Sequence, residues 1–268
     1  MSQLEVNNIQ MVYGDVGEGV PLVLIHGFPF DRHLWMDQVA VLGDHCRVIT
    51  PDLRGFGKSS SPEETYTMSQ YAADIVALLD LLSIEKAIIG GLSMGGYIAL
   101  AIAECFPERI SGLILSNTHP AKDTFAQRQK RINIAEKTNY DGTEFLISDM
   151  LEKVICRKTL EEKPDVVEYV QQMMRRQPAS GIRGAQRGMA DRKDRTHILS
   201  ETHVPTLVIA GKDDMLIPLI ESENMVNELP HGHLEVISDA GHLPNLEQPE
   251  IYNTILRRMV ESFAVKQD

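Results

Sequence analysis

A serine hydroxyl becomes a nucleophile only when a neighbouring base takes its proton and an acid holds that base in place. Three stretches of this 268-residue chain supply those side chains. The first, Gly91-Leu92-Ser93-Met94-Gly95, has the spacing G-x-S-x-G. Chance produces such a match in roughly one chain of this length in ten, so the spacing alone decides little. The setting is more telling. An apolar run, Lys86 to Gly90, precedes the motif, and a small, almost wholly apolar run, Met94 to Cys105, follows it. That predicts strand, sharp turn and helix, with Ser93 held in a strained backbone and its hydroxyl projecting above a sheet. The start of the helix offers free N–H groups and a partial positive charge to a developing oxyanion.

The second stretch, Gly211-Lys-Asp213-Asp214, follows the apolar run Thr206–Ala210, and either aspartate can serve as the acid. The third, Ala240-Gly241-His242, follows Leu234–Ile237 and supplies the base. The chain order Ser, Asp, His is the one that a strand-end nucleophile of this kind requires. His26-Gly27-Phe28-Pro29 follows another apolar run, Pro21–Ile25, so the N–H of Phe28 can join that of Met94 as a pair of oxyanion donors. His26 itself reads as structural. His231 and His233 form a His-x-His pair without a third ligand. His33, His45, His119, His197 and His203 read as loop or surface positions.

These residues need a frame. Short continuous apolar runs bounded by turn residues suit strands buried on both faces of a parallel sheet. Pro21–Ile25, Arg47–Thr50, Lys86–Gly90, Gly112–Ser116, Thr206–Ala210 and Leu234–Ile237 are of this kind, and Leu4–Tyr13 alternates as one edge strand. Between them, Met68–Leu82, Met94–Cys105 and Pro249–Phe263 have helical patterns. The alternation predicts a doubly wound α/β sheet with right-handed crossovers. Residues 120–195 break the rhythm, being charged, helical in pattern and without strand-like runs. Their segments, Thr124–Thr138, Thr143–Ile155, Thr159–Arg176 and Ser180–Asp191, read as a helical cap inserted into a core made of residues 1–119 and 196–268.

Composition sets outer limits. The net charge of −12 argues against a nucleic acid or an anionic membrane surface as partner. No apolar run is long enough to span a bilayer, and the first residues lack the pattern of a signal peptide, so a cytoplasmic location is expected. Cys46, Cys105 and Cys156 are too few and too scattered for a disulfide framework, and each reads as a small buried hydrophobe.

Five segments together resemble the α/β-hydrolase superfamily: His26-Gly-Phe-Pro-Phe-Asp31 with Trp35, Pro51–Ser59, Gly91–Gly96, Gly211–Asp214 with Pro218, and Gly241–Pro249. They occur in family order and span most of the chain. The resemblance implies a mostly parallel eight-stranded sheet. It favours Asp214 over Asp213 as the acid, four residues before Pro218. Within the superfamily the sequence is most similar to carboxylesterases and 3-oxoadipate enol-lactonase-like proteins. Relatives with an aspartate nucleophile are set aside by Ser93, and Leu92 stands where C–C bond hydrolases carry Asn. The end of the Gly112–Ser116 strand, where some members place the acid, reads Ser116-Asn117-Thr118.

The expected activity is hydrolysis of a small carboxylic ester or lactone through an acyl-enzyme on Ser93, without cofactor or metal. The competing expectations are a perhydrolase, a C–C bond hydrolase, or a non-enzymatic small-molecule receptor or signalling partner on the same fold. Phe28, Trp35, Met94, Phe125, Leu216 and Leu243 are expected to line an apolar pocket. Arg128, Arg131, Arg175, Arg176, Arg183 and Arg187 in the cap are candidate anchors for a substrate carboxylate, although solvated helix faces account for them more simply.

Overall fold

Side chains alternate between the two faces of a strand, so a strand apolar at every position must be covered on both sides. The structure, a computed structural model that describes residues 1–264, does this throughout its central sheet. The strands are β1 (Ser2–Val6), β2 (Ile9–Val16), β3 (Pro21–Ile25), β4 (Arg47–Pro51), β5 (Ala87–Leu92), β6 (Ile110–Ser116), β7 (Thr206–Gly211) and β8 (Gly232–Ile237). Their order across the eight-stranded sheet is β1-β2-β4-β3-β5-β6-β7-β8. The β1–β2 and β2–β4 pairs are antiparallel, and the remaining pairs are parallel.

The single edge strand expected over Leu4–Tyr13 is a hairpin instead. Asn7 and Asn8 take φ of 46° and 65°, the left-handed conformation that asparagine tolerates and that a two-residue hairpin turn needs.

The helices are α1 (Met36–Leu42), α2 (Met68–Leu81), α3 (Met94–Cys105), α4 (Phe125–Asp141), α5 (Glu144–Val154), α6 (Arg157–Glu162), α7 (Pro164–Arg175), α8 (Ala179–Ala190), α9 (Thr196–Glu201), α10 (Leu219–Glu228), α11 (Pro244–Glu247) and α12 (Pro249–Ala264). One sheet face presents Val23, Ile25, Ile89, Leu113 and Val208 to α2 and α3. The other presents Leu22, Leu24, Ile88, Ile114 and Leu207 to α1 and α12. Each of these aliphatic side chains contributes on the order of 1.5–3 kcal/mol by leaving water. Two Cys positions behave as expected; Cys105 is exposed, because it closes α3 on the solvent side of the helix end. Among the described residues, no helix is long and apolar enough to cross a membrane.

Helices α4 to α8 all lie between β6 and β7 in the chain. The segment read as one helix over Thr159–Arg176 is two, α6 and α7, because Pro164 cannot continue the helix and starts the next in its first turn. Helix α4 opens with a reciprocal Thr124–Gln127 capping box and packs against α8, while α5 and α6 pack against α7. The parallel register aligns Ile25 with Gly91, Leu92 with Ser116, and Gly211 with Ile237. The loops after β3, β5, β6, β7 and β8 therefore leave from one edge of the sheet, where ligands bind in open α/β folds.

Candidate active site

Ser93 sits between β5 and α3 with φ 55° and ψ −114°, a conformation that a non-glycine residue adopts only when its surroundings impose it. They do so here by crowding. A Cβ at Gly95 would lie 2.2 Å from the carbonyl oxygen of Ile25, so only glycine lets α3 come this close to β3. The Ser93 N–H donates to Ser116 O at 2.9 Å, and Thr118 Oγ1 donates to Ser93 O at 2.9 Å. The turn is thus pinned to β6. Among the described residues, no backbone group accepts from the N–H of Phe28 or Met94.

His242 lies in the loop after β8, its side chain buried. Its Nδ1 is 2.8 Å from Asp214 Oδ2. The Asp214 carboxylate also accepts from Asn117 Nδ2 at 2.6 Å, Leu216 N at 2.7 Å and Ile217 N at 3.1 Å. Burial pushes its pKa up, but the His242 charge and these donors outweigh that and hold the carboxyl below its ordinary value. Asp213 is exposed, and its N–H donates to Ala240 O at 2.9 Å. The structure therefore puts Asp214, not Asp213, on the histidine. The His242 loop is held by the buried carboxylate of Glu247, which accepts from Gly241 N at 2.7 Å and Leu243 N at 3.3 Å. Its other oxygen accepts from Cys156 N at 2.7 Å, between α5 and α6.

His26 is fully buried. Its Nδ1 is 2.9 Å from Gly27 O, and Leu53 N donates to its Nε2 at 3.1 Å. Burial lowers its pKa despite the Gly27 bond, so it is a neutral tie between two loops.

Ser93 and His242 line one cavity of about 260 Å³ beneath the helices of residues 125–190. Phe28 and Leu216 line it with them. Four of the six residues expected to line the pocket do not. Met94 is buried next to Ser93, with its side chain in the core under α3. Leu243 is buried in the opposite core cluster. Trp35 packs on Tyr252 in that same cluster, with ring centroids 6.2 Å apart, because the short helical turn at Arg32–Trp35 points it under the sheet. Phe125 is 83% exposed and lies on an outer groove between α4 and α5, because it is the first residue of α4 and faces outward.

The cavity is also less apolar than the sequence suggested. Tyr97, His119, Lys130, Arg131, Lys153 and Gln186 are part of its wall. From sequence His119 reads as a loop or surface position, and Arg131 as a candidate carboxylate anchor or, more simply, part of a solvated helix face; both belong to this wall. The signal for His119 was its place three residues beyond the end of β6, at the sheet edge where Ser93, Asp214 and His242 converge. Of the other cap arginines, Arg128 and Arg175 form exposed pairs with Asp191 and Glu144, Arg183 pairs with Glu63, and Arg187 is exposed. Arg176 grips the buried carboxylate of Asp31, with Nε at 2.6 Å and Nη2 at 2.8 Å.

Comparison with known proteins agrees with this geometry. A family model described as the alpha/beta hydrolase fold matches residues 20–249. The chain is 28% identical over 263 residues to 3-oxoadipate enol-lactonase 2 of Acinetobacter baylyi, covering 97% of this chain and 96% of that one. A thermophilic esterase from Thermogutta terrifontis superposes with a TM-score of 0.95 at 37% identity, covering 97% of this chain and 98% of that one. The enol-lactonase from Burkholderia xenovorans superposes with a TM-score of 0.88 at 25% identity, over 95% and 98% of the two chains. With a sheet of this order, a serine in this strained turn and a family match across most of its length, the chain belongs to the α/β-hydrolase family.

Proposed function

We propose that the protein is a serine hydrolase that cleaves a carboxylic ester or lactone through an acyl-enzyme on Ser93. The observation that carries this reading is the shared cavity: Ser93 and His242 line it together, and His242 is held from behind by Asp214 at 2.8 Å. With the Nδ1–H given to Asp214, the Nε2 of His242 is the nitrogen left to accept a proton from Ser93. Ser93 then attacks the carbonyl carbon, and the oxygen that becomes negative meets the unengaged N–H groups of Phe28 and Met94. Each such donor is worth about 3 kcal/mol to the transition state. His242 returns the proton to the departing alkoxide, and water repeats the sequence to free the acid. Asp214 stays ionised throughout, since its carboxyl lies below the ordinary range, and it fixes the imidazole tautomer. The relatives named an esterase and enol-lactonases support this reaction class.

The test is turnover of 4-nitrophenyl butyrate and of a simple lactone by the wild type and by Ser93→Ala. The variant should fold normally and lose at least about 10⁴-fold in kcat. Retention of activity by a folded Ser93→Ala protein excludes Ser93 as the nucleophile. Absence of turnover by the wild type on both substrates favours a receptor.

A further inference from the structure

Resting on the reading of Ser93 as the nucleophile, we propose that His119, Arg131 and Gln186 form a carboxylate-binding subsite in the cavity wall, so that the preferred esters or lactones carry a carboxylate.

Each of the three residues lines the cavity that Ser93 and His242 share. Each also has hydrogen-bonding capacity that the protein does not use. Gln186 is 2% exposed, and its Oε1 accepts from Arg131 Nη1 at 3.4 Å. Among the described residues, no protein group accepts from its Nε2. That N–H₂ is therefore a donor that the protein leaves free at the cavity wall.

His119 Nε2 is 3.2 Å from Arg192 Nη2 and 3.3 Å from Tyr97 Oη. A guanidinium only donates, so Nε2 must be the accepting nitrogen and the ring proton sits on Nδ1. That Nδ1–H is the one polar atom of the ring left for a ligand. Burial and the Arg192 charge drive the His119 pKa down to about 4, so the ring stays in this neutral donor form through the physiological range.

Arg131 Nε binds Asp123 Oδ2 at 2.6 Å, which orients the guanidinium. Among the described residues, its Nη2 has no acceptor. Asp123 is shared with Arg192, which pairs with its other oxygen. Two guanidiniums on one carboxylate leave a net positive charge at this wall.

The charges beyond the three residues agree. Lys130 and Lys153 also line the cavity, against the one further carboxylate of Asp149. The Lys153 ammonium donates to the backbone oxygen of Asp149 at 2.6 Å, not to its carboxylate. A cavity with a cationic surplus is notable in a chain of net charge −12. In a low-dielectric wall, neutral N–H donors backed by a buried cation favour a monoanion with two acceptor oxygens. A neutral acyl chain would leave the Gln186 amide and the free guanidinium edge without partners, at a cost that lowers its selection.

The test uses matched alkyl esters with acid release followed by pH-stat. Ethyl pentanoate is compared with monoethyl glutarate, and propyl butanoate with 3-(butanoyloxy)propanoate, so that the carboxylate is offered on either side of the scissile bond. At least one anionic ester should exceed its neutral partner at least tenfold in kcat/KM. That preference should fall at least tenfold in Arg131→Gln and in Gln186→Leu, the second of which keeps the Arg131–Asp123 pair. No anionic preference in the wild type, or a preference that both folded variants retain, overturns the subsite. Failure of the hydrolase reading looks different: none of the four esters turns over. In that event calorimetric titration with glutarate decides, because binding by the wild type that is lost in Gln186→Leu upholds the subsite, and no binding removes it.

Discussion

The side chains that matter most to His242 are those that hold its partner. Asp214 receives four hydrogen bonds, and the shortest is that from Asn117, at 2.6 Å. Asn117 stands at the end of β6 with φ 45°, where its short side chain tolerates the left-handed backbone. Its amide also donates to Gly241 O at 3.2 Å, so it joins the acid to the histidine loop. The sequence showed this position only as one without a carboxylate; that an amide there serves a carboxylate from another strand depends on a contact between residues 97 positions apart. Replacing Asn117 with Ala removes a charge-assisted bond worth about 1.5–3 kcal/mol. The expected outcome is a fall in kcat of about tenfold or more with KM within about twofold, measured on any ester that the wild type turns over. An unchanged kcat would mean that the remaining bonds to Asp214 suffice. Ser93, His242 and the adjacent pair Asp213-Asp214 were legible because each follows an apolar run that had to be a strand, and parallel strands deliver their C-terminal loops to one edge.

At the scale of elements, the seating of the helical insertion depends on one helix. Helix α8 carries Gly181, Gly184 and Gly188 on a face turned to the loop around Gly55 and Tyr66. A Cβ at Gly188 would lie 1.6 Å from Tyr66 O, and one at Gly181 1.7 Å from Gly55 O. Backbone meets backbone there, and nothing flexible can move aside. Gly188→Ala should therefore destabilise the protein by about 1–3 kcal/mol and open the region over the cavity. Thermal unfolding together with limited proteolysis of residues 120–195 checks this, and a Tm equal to the wild type's would show that α8 shifts freely. The helical character of the insertion was readable from its charge and period. Its seating was not, since glycines in a helix read as weakness until the surface they face is known. The break between α6 and α7 at Pro164 was locally encoded, whereas the Asn7–Asn8 hairpin lay hidden within an alternating run.

Across the whole molecule, buried ionisable groups couple folding to pH. His119 has its pKa lowered from 6.5 to about 4, chiefly by burial, and His26 is lowered for the same reason. In the unfolded chain both take up a proton near 6.5, while the folded chain resists doing so. Stability from this source is complete above that value and is lost as pH falls from about 6.5 towards 4, by up to about 3 kcal/mol for His119. The carboxyls act lower. Burial opposes ionisation of Asp31, but its Arg176 bonds outweigh this and depress its pKa, and Asp214 is depressed beside His242. Their contribution persists above the ordinary carboxylate value of 3.8 and disappears only as pH falls below it. Urea unfolding at pH 7 and at pH 5 should show wild-type stability dropping between the two, with a smaller drop in His119→Gln. Equal drops would place the pH sensitivity elsewhere.

By itself, the sequence determined which residue types meet at the sheet edge. Short apolar runs force buried parallel strands, and a buried parallel strand leaves its following loop no other side on which to emerge. Only the tertiary structure decided which of two adjacent aspartates turns inward, that Trp35 and Leu243 belong to the core and Phe125 to solvent, and that His119, Arg131 and Gln186 line the same cavity as Ser93. The last of these depends on the packing of residues 125–190 over the sheet. A helix's own pattern of charge and apolarity does not distinguish a face turned to water from one turned to a polar cavity.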